Sequence, residues 1–175
     1  VDLLQDNPEV VGAYAGVSVE DPQGNTLRQY NLPWSRQRLL AINYLPIHAV
    51  LFKMDAVKVQ GLSFNPELHV LEDWHFWLQL TQNSKLAHNP NITAVYRQAL
   101  GKSELGNASG QSRWQTSHRK ILEKFVSQAA SQELTDVLSW HAIALDSQVL
   151  QIEKLQAQAA LDQAQLAQEL SARLA

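Results

Sequence analysis

Cysteine is absent from all 175 residues. Without thiols the chain has no disulfide framework, no thiolate zinc site and no cysteine nucleophile, and this absence is consistent with a reducing compartment. A strong excess of charge is lacking as well, because 14 Lys and Arg residues stand against 17 Asp and Glu residues, a net charge of -3. Nonspecific attraction to phosphate backbones is therefore disfavoured, and we expect no nucleic-acid partner.

Long apolar runs are also lacking. No run approaches the roughly 18 to 20 residues of a membrane span, and no charged start followed by an apolar block indicates a signal peptide. We expect a cytoplasmic location, which includes peripheral attachment at the inner face of the membrane. The 45% hydrophobic and 18% charged residues are typical of a globular protein with an ordinary core. Because the chain starts abruptly with an apparent last helical turn before Pro8, we expect it to be a piece of a longer protein.

The first hundred residues alternate short strands and helices. Val10 to Glu20 has near period-two spacing and leads into a turn, which predicts a strand and a hairpin. Glu72 to Gln82 places two acids before an apolar pattern, which predicts the clearest helix of this half. The other predicted elements are a returning strand at Thr26 to Tyr30, a helix at Trp34 to Tyr44, a helical turn ending at Gly61, two short strands within Lys85 to Arg97 separated by Asn89-Pro90-Asn91, and a loop at Leu100 to Gln111.

The last third is built differently. It contains no Pro or Gly from Ser112 onward, and Leu150 to Ala175 consists mainly of Ala, Gln and Leu, which predicts a helical tail. An imperfect apolar stripe runs along this tail, and Asp162 interrupts a strict heptad. The stripe fits packing against the chain's own domain, and it also fits a homo-oligomer formed through the C-terminal helices.

Motifs for nucleotide loops, metalloproteases and serine hydrolases are absent from the sequence. One acidic pair, Glu72-Asp73, is followed directly by four rings, from Trp74 to Trp77. A carboxylate in a first helical turn is favoured in its ionised form by about 0.3–1 kcal/mol, and an ionised carboxylate can act as a general base. Helix capping explains such acids equally well when the pair is taken alone.

A wider pattern surrounds this pair. The order and spacing of four segments resemble the acceptor half of family 2 glycosyltransferases with the GT-A fold. These segments are Leu45 to Lys53, Val59 to Leu68, Glu72 to Leu80 and Ala94 to Arg97. The resemblance covers roughly residues 1–100. It implies an α/β fold class, or α+β as a fragment. Residues 1–110 would form the C-terminal half of a GT-A-like nucleotide-diphospho-sugar transferase domain, and residues 111–175 a helical extension of long α-helices.

The resemblance also implies roles for the acidic pair. Asp73 matches the family's catalytic base, which deprotonates the acceptor hydroxyl for in-line attack on the anomeric carbon of a nucleotide sugar with inversion. Glu72 matches an acidic neighbour that helps to hold the acceptor. Trp74 falls on an aromatic position that offers a sugar-stacking face or packs in the core.

Three further residues are implied as substrate-binding. His48 lies just before the apolar segment that borders the acceptor cleft. Arg97, with Lys102 behind it, falls where the family's mobile loop approaches the diphosphate, and a guanidinium suits phosphate charge. The implied partners are a nucleotide-sugar donor and a glycan or lipid-linked acceptor, as in polysaccharide biosynthesis.

The sequence departs from the family pattern on the donor side. No Asp-x-Asp occurs, and Gln79 stands where the family usually has Arg. The resemblance implies a divalent metal, Mg or Mn, in the full-length enzyme, where the family's Asp-x-Asp holds it against the diphosphate. Because this chain lacks that motif, we expect it to bind no metal and to show no turnover by itself.

Two alternatives remain for the same residues. His69, Glu72, Asp73 and His75 are ligand types that suit Zn, Mn or Fe, although residues 72, 73 and 75 of one helix fan around its axis. The second alternative is a helical interaction or oligomerisation module without catalysis of its own.

Overall fold

The structure is a computed structural model that describes residues 2–98 and 108–174. It is a mixed α/β fold with a four-stranded mixed sheet and a long C-terminal helix, so the coarse fold prediction is confirmed. In chain order the elements are α1 (Asp2–Gln5), β1 (Gly12–Glu20), β2 (Thr26–Tyr30), α2 (Arg36–Ala41), a 3-10 turn (Ile47–Ala49), β3 (Val50–Phe52), α3 (Met54–Gln60), α4 (Glu72–Leu80), β4 (Leu86–Arg97), α5 (Ala108–Val126) and α6 (Ser131–Leu174).

The chain divides into two compact units, Val1–Leu134 and Thr135–Ala175. The first contains the sheet, and the second consists of most of α6. Across the described ranges, no helix combines the length and the apolar character that crossing a membrane requires.

The central strand of the sheet is β1. It pairs antiparallel with β2 from Val17 to Glu20 and with β3 from Gly12 to Tyr14, and it pairs parallel with β4 from Gly12 to Glu20. Because β4 follows β1 over this whole length, β2 and β3 must share its other edge. The sheet thus has β1 between β4 on one side and the β2 and β3 segments on the other.

The segment predicted as two strands around Asn89-Pro90-Asn91 forms one strand, β4. Ala15 of β1 pairs with Asn89, and the next residue, Gly16, pairs with Ile92. Pro90 and Asn91 therefore have no partner in β1 and form a bulge-like irregularity in β4. The space at Gly16 is small, since a Cβ there would lie 2.6 Å from Cδ1 of Ile92 and 2.8 Å from Cγ of Asn31, and any larger residue would displace these side chains. A proline therefore sits inside a continuous strand without ending it.

Helix α4 forms the centre of the core in the first unit. Its rings Trp74, Phe76 and Trp77 are at most 2% exposed. Ile121 and Phe125 of α5 are also buried in this unit, and the His118 ring of α5 stacks on Trp74 with centroids 5.0 Å apart. The compact unit that contains the sheet therefore also includes α5 and runs to Leu134.

Replacing Trp77 by Ala tests this description of the core. The ring is fully buried and its Nε1 donates to the Leu45 carbonyl at 3.2 Å. We expect Trp77→Ala to lower the free energy of unfolding by about 3–5 kcal/mol, measured by urea denaturation. Val59→Ala, at a side chain 88% exposed on α3, should stay within about 0.5 kcal/mol of wild type. Equal losses in the two variants would contradict this description.

Candidate functional site

A cleft of about 330 Å³ opens at one end of the sheet. Five parts of the chain contribute to it: β2, the segment between α2 and the 3-10 turn, the 3-10 turn itself, the first turn of α4, and the end of β4. Aromatic and polar side chains predominate among the lining residues, which are Arg28, Tyr30, Asn43, Tyr44, Pro46, Ile47, His48, Asp73 and Tyr96.

Strand register brings the sheet residues of the cleft together. Val19 of β1 pairs with Arg28 of β2 on one side and with Tyr96 of β4 on the other. Paired residues in adjacent strands project from the same face of a sheet, as do residues two apart, so Tyr30 joins this face. The sheet thereby presents two phenol rings and a guanidinium on its cleft side.

Asp73 lies in the cleft with one carboxylate oxygen fixed. Its Oδ1 accepts hydrogen bonds from Nδ2 of Asn43 at 3.0 Å and from the backbone N–H of Trp74 at 2.7 Å. Oδ1 of Asn43 in turn accepts from the backbone N–H of Leu45 at 3.4 Å, which orients the Asn43 amide. Within residues 2–98 and 108–174 no hydrogen bond reaches Oδ2, so this oxygen is available to a hydroxyl group in the cleft.

Burial raises the pKa of Asp73 above its ordinary value of 3.8. The hydrogen bonds from Asn43 and from the Trp74 backbone oppose this effect without cancelling it, and the Glu72 carboxylate adds to it. The position at a helix start, which by itself favours the ionised form, is thus outweighed by desolvation. A carboxylate with a raised pKa is a stronger base once it is ionised.

The residue before α4 has an unusual backbone. Leu71 has φ 63° and ψ 19°, and among the described residues it is the only one other than glycine with a positive φ. For such a residue the left-handed region costs roughly 1–2 kcal/mol. The Leu71 carbonyl nevertheless accepts the backbone N–H of His75 at 3.0 Å, so the strained residue starts the helix.

The structure separates the residues predicted beside Asp73. Glu72 is exposed and is not among the residues that line the cleft. Trp74 is fully buried, and its Nε1 donates to the Leu39 carbonyl at 2.6 Å. Of the two roles that the sequence leaves open for Trp74, the structure therefore shows packing in the core, since successive residues of a helix point in different directions.

The remaining predicted residues lie at different places. His48 is exposed and lines the cleft, where its ring stacks on Tyr96 with centroids 5.8 Å apart. Arg97 is exposed at the end of β4 and does not line the cleft, because the alternation along a strand turns it away from the face that carries Tyr96. Lys102 lies outside the described residues.

Sequence reasoning missed several residues of the cleft. Asn43, which holds Asp73, lies 30 positions earlier in the chain, and no sequence motif links the two. Tyr96 could have been found, because it belongs to the segment Ala94 to Arg97 and strand alternation allows only one of Tyr96 and Arg97 to face the cleft. Arg28 and Tyr30 follow from the same alternation once the pairing of β2 with β1 is known.

The metal alternative finds no support in the described ranges, which contain no group of three or more His, Asp or Glu side chains that could hold an ion. His75 is buried, and both of its ring nitrogens have protein partners: Nζ of Lys124 lies 3.1 Å from Nε2, and the Gln79 amide lies 3.1 Å from Nδ1. Burial, with a smaller contribution from Lys124, lowers the pKa of His75. His69, by contrast, is exposed.

The raised pKa of Asp73 predicts a pH-dependent effect on stability. Folding disfavours the ionised carboxylate, so the contribution of Asp73 is most favourable below its ordinary pKa and is lost as pH rises through its folded pKa. We expect Asp73→Asn to gain stability relative to wild type over this pH range, and urea denaturation at a series of pH values measures the gain. Asp55→Asn, at an exposed carboxylate in the first turn of α3, controls for the loss of a charge. A gain that does not grow with pH would contradict the desolvation of Asp73.

Comparison with models of known protein families finds no match for this chain, and comparison with curated proteins finds none either. The assignment of a function therefore rests on the chain's own residues. Its two supports are the order of the segments within residues 1–100 and the geometry of the cleft around Asp73.

Proposed function

We propose that this chain supplies the acceptor side and the catalytic base of an inverting, nucleotide-sugar-dependent glycosyltransferase related to family 2 of the GT-A fold. The observation that carries the proposal is the Asp73 carboxylate, which is partly buried in a cleft with aromatic walls and held through Oδ1 by Asn43. The proposed acceptor is a glycan or a lipid-linked sugar, as in polysaccharide biosynthesis.

The proposed reaction uses Asp73 as a general base. Oδ2 accepts the proton of an acceptor hydroxyl while that oxygen forms a bond to the anomeric carbon of the donor sugar. The bond from the anomeric carbon to the nucleoside diphosphate breaks, and the diphosphate leaves with the electron pair. Attack from the side opposite the leaving group inverts the configuration. Holding one carboxylate oxygen rigidly keeps the other at a constant position, which favours such a transfer.

The aromatic walls suit a sugar acceptor. His48 and Tyr96 form a stacked pair at the cleft, and Tyr30 lies on the same face of the sheet. Aromatic rings pack against the apolar faces of sugars, and convergent polar groups fix their orientation. Arg28, whose guanidinium carbon lies 5.2 Å from the Tyr30 ring centroid, adds a cation at this wall. The combination supports an acceptor with an apolar face and hydroxyl groups.

The donor and its metal belong to a part of the enzyme that this chain does not provide in our proposal. A divalent ion against the diphosphate needs a cluster of acidic ligands, and the described residues contain no such cluster. The residues present thus do not fit that ion, and no step assigned to this chain runs through it. The tasks of Asp73, Asn43 and the aromatic wall are to bind the acceptor and to remove its proton.

Loss of the base predicts loss of turnover. In the parent protein, we expect Asp73→Asn to reduce sugar transfer about 10²–10⁴-fold, the usual contribution of a general base, with donor binding retained. Radiolabelled transfer from a panel of nucleotide sugars to glycan and lipid-linked acceptors measures the first, and calorimetry with the nucleotide measures the second. Asp55→Asn should transfer at the wild-type rate. Undiminished transfer by Asp73→Asn would refute the proposal.

Acceptor binding is testable on this chain by itself. We expect mono- and disaccharides to shift the NMR resonances of cleft residues, and we expect Tyr96→Ala to weaken this binding about 5–30-fold, because the lost apolar burial against the ring is worth about 1–2 kcal/mol. Val95→Ala is the matched control, since Val95 is as exposed as Tyr96, at 49%, and projects from the opposite face of β4. Equal weakening in both variants, or shifts confined to residues outside the cleft, would contradict the proposed acceptor site.

A further inference from the structure

Helix α6 carries a row of exposed apolar side chains. Leu138, Leu145, Val149, Ile152 and Leu166 are each between 52% and 70% exposed. The helix has 44 residues, which corresponds to a length of about 66 Å. A helix of this kind gains most of its stability from burying an apolar face rather than from propensity, so this row needs a partner surface of similar length.

The row follows a heptad repeat in one register. With Val149 at position a, the d positions are Leu138, Leu145, Ile152, Ala159 and Leu166, and the a positions between them are Ala142, Val149, Gln156 and Gln163. None of these nine residues is charged. Asp162, which interrupts the register considered from sequence alone, falls at position g beside the seam. A seam of apolar a and d residues every 3.5 residues on average is the pattern of a coiled coil.

We infer that α6 forms a parallel, two-stranded coiled coil with α6 of a second copy of this chain. The proposal does not depend on the proposed glycosyltransferase function, because it uses residues of α6 alone. A second copy offers an apolar seam of identical length and spacing. Among the described elements, the next longest helix, α5, has 19 residues and is shorter than the row, which runs from Leu138 to Leu166.

The area that two such rows can bury reaches the size that a specific dimer needs. Burying one Leu, Ile or Val side chain removes roughly 60–120 Å² from water. Two copies contribute ten such side chains, which gives roughly 600–1,200 Å² before the Ala and Gln layers are counted. A specific interface needs about 1,000 Å². Val149, the one β-branched residue among the four a positions, together with Leu at three of the five d positions favours two strands over three.

Charge at the flanking positions permits the parallel arrangement. In a parallel pair, a g residue meets the e residue of the next heptad in the other copy, which places His141 near Asp146 and Gln148 near Glu153. Asp162 at position g meets Ala167. These pairs contain no two like charges. Asp162 also accepts a hydrogen bond from Gln158 of its own helix at 2.7 Å, as expected for a residue beside the seam.

The two glutamines select parallel over antiparallel chains. In a parallel pair each a residue faces its own counterpart, so Gln156 meets Gln156 and Gln163 meets Gln163, and the amides can hydrogen-bond to each other. In an antiparallel pair a residues face d residues, and the amides would be buried against Leu, Ile or Ala. An unpaired buried amide is costly, which disfavours that arrangement.

Sedimentation equilibrium of the full chain tests the proposal. We expect twice the chain mass for wild type at micromolar concentration and the single mass for the double variant Leu145→Lys, Ile152→Lys. The matched control is Ile143→Lys, Leu150→Lys, which changes two apolar residues that are 67% and 57% exposed but lie outside the seam, and it should remain dimeric. A wild-type chain that sediments as a monomer, trimer or tetramer would overturn the proposal, as would dissociation by the control pair.

Orientation has its own test, because the chain contains no cysteine. Ala159→Cys places a thiol at a d position, where the two Cα atoms of a parallel pair come within disulfide distance. We expect air oxidation to give a covalent dimer on non-reducing gels. Ala157→Cys, two residues away on the outer face, should stay monomeric on the same gels. A dimer by sedimentation that Ala159→Cys fails to cross-link would overturn the parallel arrangement.

Discussion

Two indole N–H groups tie α4 to the segment that borders the cleft. Trp74 donates to the carbonyl of Leu39, and Trp77 donates to the carbonyl of Leu45. Both rings are fully buried, and a buried indole needs an acceptor, so these two bonds fix where the segment lies relative to the helix. Asn43 is located between the two acceptors in the chain. The bonds that complete the core thereby place the Asn43 amide next to Asp73.

The same packing sets the chemistry of Asp73. The rings that follow Asp73 are buried in the core, so the first turn of α4 lies close to the protein interior. The Asp73 carboxylate therefore loses part of its hydration. Desolvation raises its pKa, and the bonds from Asn43 and from the Trp74 backbone limit the rise. The strained backbone of Leu71 lies at this point as well. Core stability and the basicity of the carboxylate therefore depend on one helix.

The sequence predicts those strands and helices whose apolar residues recur with the period of the secondary structure that they form and face the core. Strand β1 and helix α4 lie within two residues of the predicted spans, since hydrophobic periodicity decides both. The prediction of two strands separated by Asn89-Pro90-Asn91 is wrong because hydrogen bonding to β1 keeps β4 continuous across these residues. No sequence pattern within β4 shows this pairing with β1. The start of α5 at Ala108 falls inside the predicted loop for a similar reason: α5 packs through residues further along.

The candidate site is less predictable than the fold, because it depends on distances between segments that are remote in sequence. The motif singles out Asp73 as a candidate, but it does not show which of two adjacent residues faces the cleft. Next to Asp73, Trp74 packs in the core, and next to Tyr96, Arg97 points away from the cleft. Contact with Asn43 could not be predicted from any local pattern.

The acidic pair Glu72-Asp73 has two explanations, helix capping and general-base catalysis, and these differ in the burial that they require of the carboxylate. A carboxylate that serves only to cap a helix gains nothing from losing water, and Glu72 and Asp55 remain exposed at their helix starts. Asp73 instead is partly buried, which opposes its ionisation, and an amide from a distant segment holds one of its oxygens. Capping does not require either feature. A general base needs one oxygen held still, the other offered to a hydroxyl, and a proton affinity above that of a solvated carboxylate. The catalytic role that we propose for Asp73 rests on these two features.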